Sequence, residues 1–341
     1  MRALILGGTG TVGRAVARRL LGSGWEVDLT GRDASRVPAD LLAAGARFSA
    51  ADRYDPAALG RLMGRGADLV VDCLCFTAAH ARQLVQVLPD AGSAVMLSSK
   101  AVYVDEQGRH MNSDQPPVFA GPVAEDQPTV PPGDGGYDSR GGYGPNKVAA
   151  EQVLLDSGFP VTVLRASKVH GEGASPAREW VFVRRVLAGR RTVFLASLGQ
   201  GTDHTTAAVN TAALVECVAG QPGARILNSA DPDAPSALEI SRTVAGYFGH
   251  GWEEILLPGT SDESGGVGAH PWETAAPIVL DTSAAGRMGY VPVGTYAETV
   301  TAELQWLAGA RRNDPSFAGS QSDLDRYLAD AAEDRFLSLR P

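Results

Sequence analysis

From its N-terminus the chain alternates short apolar runs with longer stretches in which apolar residues recur every three or four positions. The short runs Ala3–Leu6, Glu26–Thr30, Arg47–Ala50, Leu69–Leu74, Ala94–Leu97 and Val161–Leu164 predict strands. Helical periodicity between them predicts helices over Val12–Leu21, Pro56–Met63, Ala78–Leu88 and Asn146–Asp156. In the first helix Val12, Ala15, Val16, Ala17 and Leu20 fall on one side. Strict strand–helix alternation predicts an α/β fold, a doubly wound parallel sheet with helices on both faces. In such a sheet ligands sit at the carboxyl ends of the strands, where the strand order reverses.

Two segments break this rhythm. Residues 113–142 are rich in Pro, Gly and Asp and carry little periodicity. A connection this long is a lid over a site or a passive surface loop. Beyond residue 170 the pattern becomes helix-rich, with helices expected at Trp180–Leu187, Thr211–Ala219, Leu238–Phe248 and Tyr296–Leu307. Short strands are expected at Arg191–Leu195, Arg225–Asn228 and Ile255–Leu257. The expected organisation is therefore a nucleotide-binding domain over residues 1–170 and a smaller α/β substrate region over 171–341. In the tail, Leu324, Tyr327, Leu328, Ala331 and Ala332 at helical spacing predict that Ser322–Leu339 docks. No internal repeat is visible.

Composition narrows the function. The 341 residues are 44% hydrophobic, enough for a substantial core. A formal charge of −9 without a basic run argues against nucleic-acid and anionic-membrane partners. No apolar stretch reaches the roughly 18 residues of a spanning helix. The N-terminal strand does not read as a signal peptide. Three cysteines, Cys73, Cys75 and Cys217, point to a reduced cytoplasmic setting. Cys73 and Cys75 read as packed side chains, because no second ligand pair accompanies them to hold a metal.

The chemistry begins at the end of the first strand, Gly7-Gly8-Thr9-Gly10-Thr11-Val12-Gly13. Strand, glycine turn and helix together lay a pyrophosphate on a helix N-terminus. Gly7 allows the tight turn, Gly10 removes a Cβ in the path of a phosphate, and Gly13 lets the helix pack on the strand. The spacing is one residue longer than G-x-G-x-x-G, but its place after an apolar strand and before an amphipathic run marks a nucleotide site.

Tyr143 and Lys147 stand four residues apart, which places them on one face of a helix start. A free Tyr, with a pKa of about 10, exchanges protons poorly near neutrality. A neighbouring ammonium favours the phenolate and is expected to lower that value. Lys147 can also donate to ribose hydroxyls. Ser98-Ser99-Lys100-Ala101-Val102-Tyr103 follows the fifth strand, where a hydroxyl can hold a carbonyl oxygen. Strand-end serines are also ordinary turn residues.

Together the glycine triplet, Ser-Ser-x-x-Val-Tyr and Tyr-x-x-x-Lys resemble the extended short-chain dehydrogenase/reductases, the NAD-dependent epimerase/dehydratase family. The resemblance covers residues 1–173 well and the remainder loosely. It implies a Rossmann-type sheet, with Tyr143 as proton donor or acceptor, Lys147 holding the ribose, and Ser99 binding the reacting oxygen. Gly7, Thr9, Gly10, Thr11, Val12 and Gly13 would cradle the dinucleotide. Leu74 and Cys75 would border its ribose and nicotinamide. Asp52-Arg53 resembles the adenine-contacting pair, or is a simple loop. At the end of the second strand Gly31 occupies the position of the family's ribose-binding acid, and Arg32 follows. This favours NADP(H), with NAD(H) the alternative.

The substrate contacts depart from the nucleotide-sugar members. Their Arg-x-x-Asn-Val-Tyr-Gly stretch reads Arg165-Ala166-Ser167-Lys168-Val169-His170-Gly171, and Thr202-Asp203-His204 lacks the diphosphate-binding Arg. Lys168 meets a phosphate or carboxylate, or pairs with an acid. His170 and His204 line the pocket or are structural, and Trp180 is a substrate platform or core. Lys100, beside Ser99, stands where a dehydratase carries acid. The expected activity is NADP(H)-dependent reduction of a ketone or aldehyde on a small metabolite. A sugar epimerase or dehydratase and a non-catalytic NADP sensor are the alternatives. A homodimer is expected by analogy alone.

Overall fold

The computed structural model describes residues 1–314, 317 and 322–339. Its strands are β1 (Arg2–Leu6), β2 (Glu26–Gly31), β3 (Arg47–Ala50), β4 (Ala67–Asp72), β5 (Ala91–Ser99), β6 (Val161–Ala166), β7 (Lys168–His170), β8 (Thr192–Leu195), β9 (Thr205–Ala207), β10 (Arg225–Ser229) and β11 (Glu253–Leu256). The longer helices of the first half are α1 (Thr11–Gly22), α2 (Ala39–Ala43), α3 (Pro56–Met63), α4 (Ala78–Val85) and α5 (Tyr143–Leu155). Those of the second half are α6 (Trp180–Leu187), α7 (Ala208–Ala219), α8 (Ala237–Tyr247), α9 (Ser283–Arg287), α10 (Tyr296–Thr299), α11 (Thr301–Asn313) and α12 (Asp330–Ser338).

Seven strands form one parallel sheet in the order β10-β6-β5-β4-β1-β2-β3. The order reverses between β1 and β4, so the crevice lies at their carboxyl ends, at Gly7 and Cys73. Alternation along β1 explains why its run is continuously apolar. Ala3 and Ile5 pack with Val16 and Leu20 of α1 and Leu214 and Val215 of α7 on one face. Leu4 and Leu6 pack on the other face with Leu59, Leu84, Ala150 and Leu154 of α3, α4 and α5. A strand covered on both sides needs apolar residues at every position.

The expected doubly wound sheet is present, but the regions on either side of residue 170 interleave. β10 comes from the second half and pairs with β6, and α7 packs on α1. The helix placed at Asn146 begins three residues earlier, at Tyr143. Two small parallel pairs, β7 with β9 and β8 with β11, organise the second half. Its core gathers Trp180, Phe182, Val183, Ile240, Val244, Trp272 and Leu304. The tail docks as expected. Leu324 is buried there, Arg184 pairs with Asp330, and buried Arg185 pairs with Glu333 at 2.6 Å.

A buried charge pair ties α5 to β6. Arg165 donates to Glu151 at 2.6 Å and lies 4.8 Å from the ring centre of Tyr103. Glu151 also accepts from Ser98, and the Tyr103 hydroxyl donates to Asn228 at 2.6 Å. Removing one partner of such a pair strands the other charge in the interior. Glu151→Ala is expected to cost about 3–5 kcal/mol in urea unfolding. A midpoint within error of the parent would show that the pair contributes nothing.

Candidate functional site

The glycine turn is held as the sequence requires. Gly7 has φ +80°, a left-handed backbone that favours glycine. A Cβ on Gly13 would sit 2.4 Å from the Gly7 carbonyl oxygen, so α1 rests directly on the turn. α1 has no side-chain cap, and its first helical bond is Arg14 N donating to Gly10 O at 2.9 Å. The amides of Thr11, Val12 and Gly13 therefore lack partners among the described residues. Free first-turn amides fit a pyrophosphate, so the residues present suit a dinucleotide. Arg14 braces this loop through Thr9 O at 2.8 Å and Arg36 O at 3.0 Å. The Thr11 hydroxyl ties it to Gly173 O at 3.0 Å, while Val12 packs into the core.

A cleft of about 660 Å³ opens from this loop, lined by Gly7, Thr9, Gly10, Arg32, Arg36 and Leu74 among others. Arg32 is exposed at its mouth. Asp33 also lines this cleft, with its Oδ1 capping Ser35 N at 2.9 Å. Asp52 likewise caps its own turn through Tyr54 N at 2.9 Å. Two expected cofactor contacts need correction. Arg53 is buried on Asp72, with bonds of 3.0 and 2.5 Å, so its guanidinium is held in the framework and not turned to an adenine. Cys75 is buried in the core with Leu4 and Leu6, and only its backbone carbonyl faces the site. Burial pushes the Cys73 and Cys75 thiols up to about 12, leaving both inert.

Ser99 and Tyr143 meet at the carboxyl end of β5. Ser99 Oγ accepts from Ala101 N at 3.2 Å and lies near the Tyr143 phenol. Lys147, fully buried, donates to Cys75 O at 2.7 Å and to Leu97 O at 2.8 Å. An ammonium carries three donors, so one remains for a ligand hydroxyl. Burial raises the Tyr143 phenol above its ordinary value, and contact with Ser99 opposes this. The expected depression by Lys147 is not seen. Lys147 Nζ lies 5.9 Å from the ring centre and its own pKa is lowered by burial.

Beyond Ser99 lies a cationic cavity of about 590 Å³, lined by Arg140, Lys168, Arg178, Arg326 and Tyr327. Asp203 divides its carboxylate between Lys100, in direct contact, and Lys168 at 3.0 Å. Burial pushes the Lys100 and Lys168 amines well below their ordinary pKa, so the positive charge of this cavity rests on the guanidiniums of Arg140, Arg178 and Arg326. A larger cavity of about 930 Å³ shares Arg326 and Tyr327 with it and includes Ser197, Gln200, His270 and Glu273. His270 is buried with neither ring nitrogen in a well-formed hydrogen bond. Arg178, Arg326 and His270 were not singled out in the sequence. They come from three separate loops and match no motif.

Three residues weighed as substrate contacts are structural. His170 donates to or accepts from buried Asp231 at 2.8 Å and stands edge-on to Tyr296. His204 Nδ1 accepts from Leu280 N at 3.0 Å, while Nε2 bonds Asp231 O at 2.9 Å. Trp180 is core, edge-on to Phe317 at 5.3 Å.

The family model of the NAD dependent epimerase/dehydratase family matches residues 3–207. The chain belongs to that family. Its members are nicotinamide-dependent enzymes of the oxidoreductase and epimerase type. A Streptomyces antibioticus protein described as a probable dTDP-4,6-dihydroxy-2-methyloxan-3-one 4-ketoreductase is 27% identical over 215 residues. That alignment spans 59% of this chain and 63% of the relative. Among solved structures, a UDP-glucose-4-epimerase from Stenotrophomonas maltophila shares the fold with a TM-score of 0.69. It is 20% identical, covering 92% of this chain and 99% of that one. The dTDP-glucose 4,6-dehydratase of Bacillus anthracis, solved with NAD, superposes with a TM-score of 0.68 at 14% identity, covering 92% and 98%. None of the described helices is long and apolar enough to cross a membrane.

Burial lowers the His270 pKa from 6.5 to about 4. Between those values the folded state binds fewer protons than the unfolded one, so this stability is full above pH 6.5 and is lost as pH falls. Acidification from pH 7 to 5 is expected to destabilise the parent by about 2 kcal/mol more than His270→Gln. Equal losses in urea unfolding would show that His270 is not held neutral.

Proposed function

We propose that the chain is an NADP(H)-dependent reductase of a ketone or aldehyde on a small, anionic metabolite. The observation that carries this reading is the meeting of Ser99, Tyr143 and Lys147 beside the glycine turn. When bound, the dinucleotide supplies hydride to the carbonyl carbon. Ser99 donates to the carbonyl oxygen and holds it against Tyr143. The phenol, kept protonated by burial, delivers the proton as negative charge develops on that oxygen. Lys147 uses two donors to fix itself on β5 and the Cys75 turn, and its third reaches a ribose hydroxyl. Arg32 and Arg36, which line the cleft, suit a 2′-phosphate. The 4-ketoreductase description of the Streptomyces relative supports reduction.

The cationic cavity supports a phosphate- or carboxylate-bearing substrate through cations at different positions from the family's usual ones. It also favours a second reading, an NAD(P)-dependent epimerase or dehydratase acting on a nucleotide sugar. The two part on cofactor handling, since an epimerase re-reduces its own product and retains the dinucleotide.

The test is mass analysis of nucleotide retained through purification, followed by NADPH and NADH titration of the parent and Arg32→Ala. Reversible NADPH binding, weakened about tenfold in Arg32→Ala with NADH unaffected, is expected for one lost charged phosphate contact. Tightly retained NAD would move the epimerase to first place. Tyr143→Phe is expected to lower turnover of a dTDP-linked 4-ketosugar by about 10²–10⁴-fold with NADPH affinity nearly intact. Unchanged turnover would remove Tyr143 as proton donor, and absent turnover in the parent with firm NADPH binding would favour a sensor.

A further inference from the structure

A row of aromatic side chains borders the cofactor cleft, and one member comes from outside the sheet framework. Tyr54 stacks on His80 at 4.3 Å. His80 meets Tyr137 edge-on at 5.8 Å. Tyr137 stacks on Phe76 at 5.3 Å with planes 13° apart, and Phe76 lies 4.4 Å from Lys147 Nζ. The Tyr54 and Tyr137 phenols lie close enough to influence one another electrostatically. The row thus runs from the Asp52–Tyr54 turn to the catalytic Lys147.

Of the residues lining the cleft, only Tyr137 belongs to the long connection between β5 and α5. That connection is anchored close to it on both sides. Asn146 donates to Gly135 O at 2.7 Å and Gly133 N to Pro145 O at 3.0 Å, fixing one side to the first turn of α5. A turn closed by Ser139 N donating to Gly136 O at 3.0 Å presents Tyr137 itself. Tyr137 remains 36% exposed, so core packing does not account for its position.

We propose that Tyr137 is a clasp that retains the dinucleotide. The proposal rests on the reading of this cleft as the cofactor site. Arg32 and Tyr54 line the same cleft, and Lys147, which would hold the nicotinamide ribose, lies against Phe76 at the far end of the row. Tyr137 bridges the row from above the sheet, and breaking its stack on Phe76 opens the cleft without moving the glycine turn. Release then depends on a surface ring, while recognition stays with the buried loop.

The experiment is stopped-flow release and equilibrium titration of NADPH, followed by its fluorescence, in the parent, Tyr137→Phe and Tyr137→Ala. Circular dichroism melts check that each variant is folded. Tyr137→Ala is expected to release NADPH about tenfold faster and to bind it correspondingly more weakly, as loss of a ring stack of this kind permits. Tyr137→Phe, which keeps the ring, is expected to stay within about threefold of the parent. An unchanged release rate in Tyr137→Ala overturns the proposal. Equal acceleration of binding and release, with affinity unchanged, also overturns it, because the ring would then be a barrier and not a clasp. A parent that binds neither NADPH nor NADH fails the cofactor reading itself, an outcome separable from both.

Discussion

The molecule is organised around a contact that only glycine permits, the backbone of Gly13 against the carbonyl of Gly7. Because no Cβ intervenes, α1 starts within van der Waals reach of the end of β1. Its uncapped first turn therefore opens at the place where the strand order reverses. A helix N-terminus carries partial positive charge and free donors. The same crevice receives Ser99 from β5 and Lys147 from α5.

Charge is distributed in two ways around that crevice. Within the framework three buried guanidiniums each face an acid: Arg53 meets Asp72, Arg165 meets Glu151, and Arg185 meets Glu333. In the cavity beyond Ser99, Asp203 is shared by Lys100 and Lys168, whose charged forms burial disfavours, and the positive charge rests on the lining guanidiniums. Paired charges position, while surplus charges attract. The overall acidity of the chain makes that positive cavity a local contrast on a negative background, which favours capture of an anionic ligand there.

The sheet was legible because strands buried on both faces need unbroken apolar runs, and the glycine turn because its spacing has one steric purpose. The spacing of Tyr143 and Lys147 marks them as a pair on one helix face, while Ser99 stands out only through the family resemblance. Other features depended on distance in the fold. Nothing local to Arg225–Ser229 says that it pairs with β6. Arg53 resembled a cofactor contact because its acid partner, Asp72, lies at the end of another strand. His170 and His204 carry the right chemistry, but Asp231 and the Leu280 amide hold them as fixed structural groups. Arg178, Arg326 and His270 are assembled from separate loops, and such convergence leaves no periodic signal.

The placement of β10 has a consequence for how the chain acquires its shape. The strand that completes the sheet is made only after β7, α6, β8, β9 and α7 have been synthesised. Until then β6 is a free edge of unpaired donors and acceptors, the kind of edge that recruits foreign strands. The nucleotide half is therefore not a self-sufficient module to which a substrate half was appended. Its last strand, β10, arrives from the other side of residue 170.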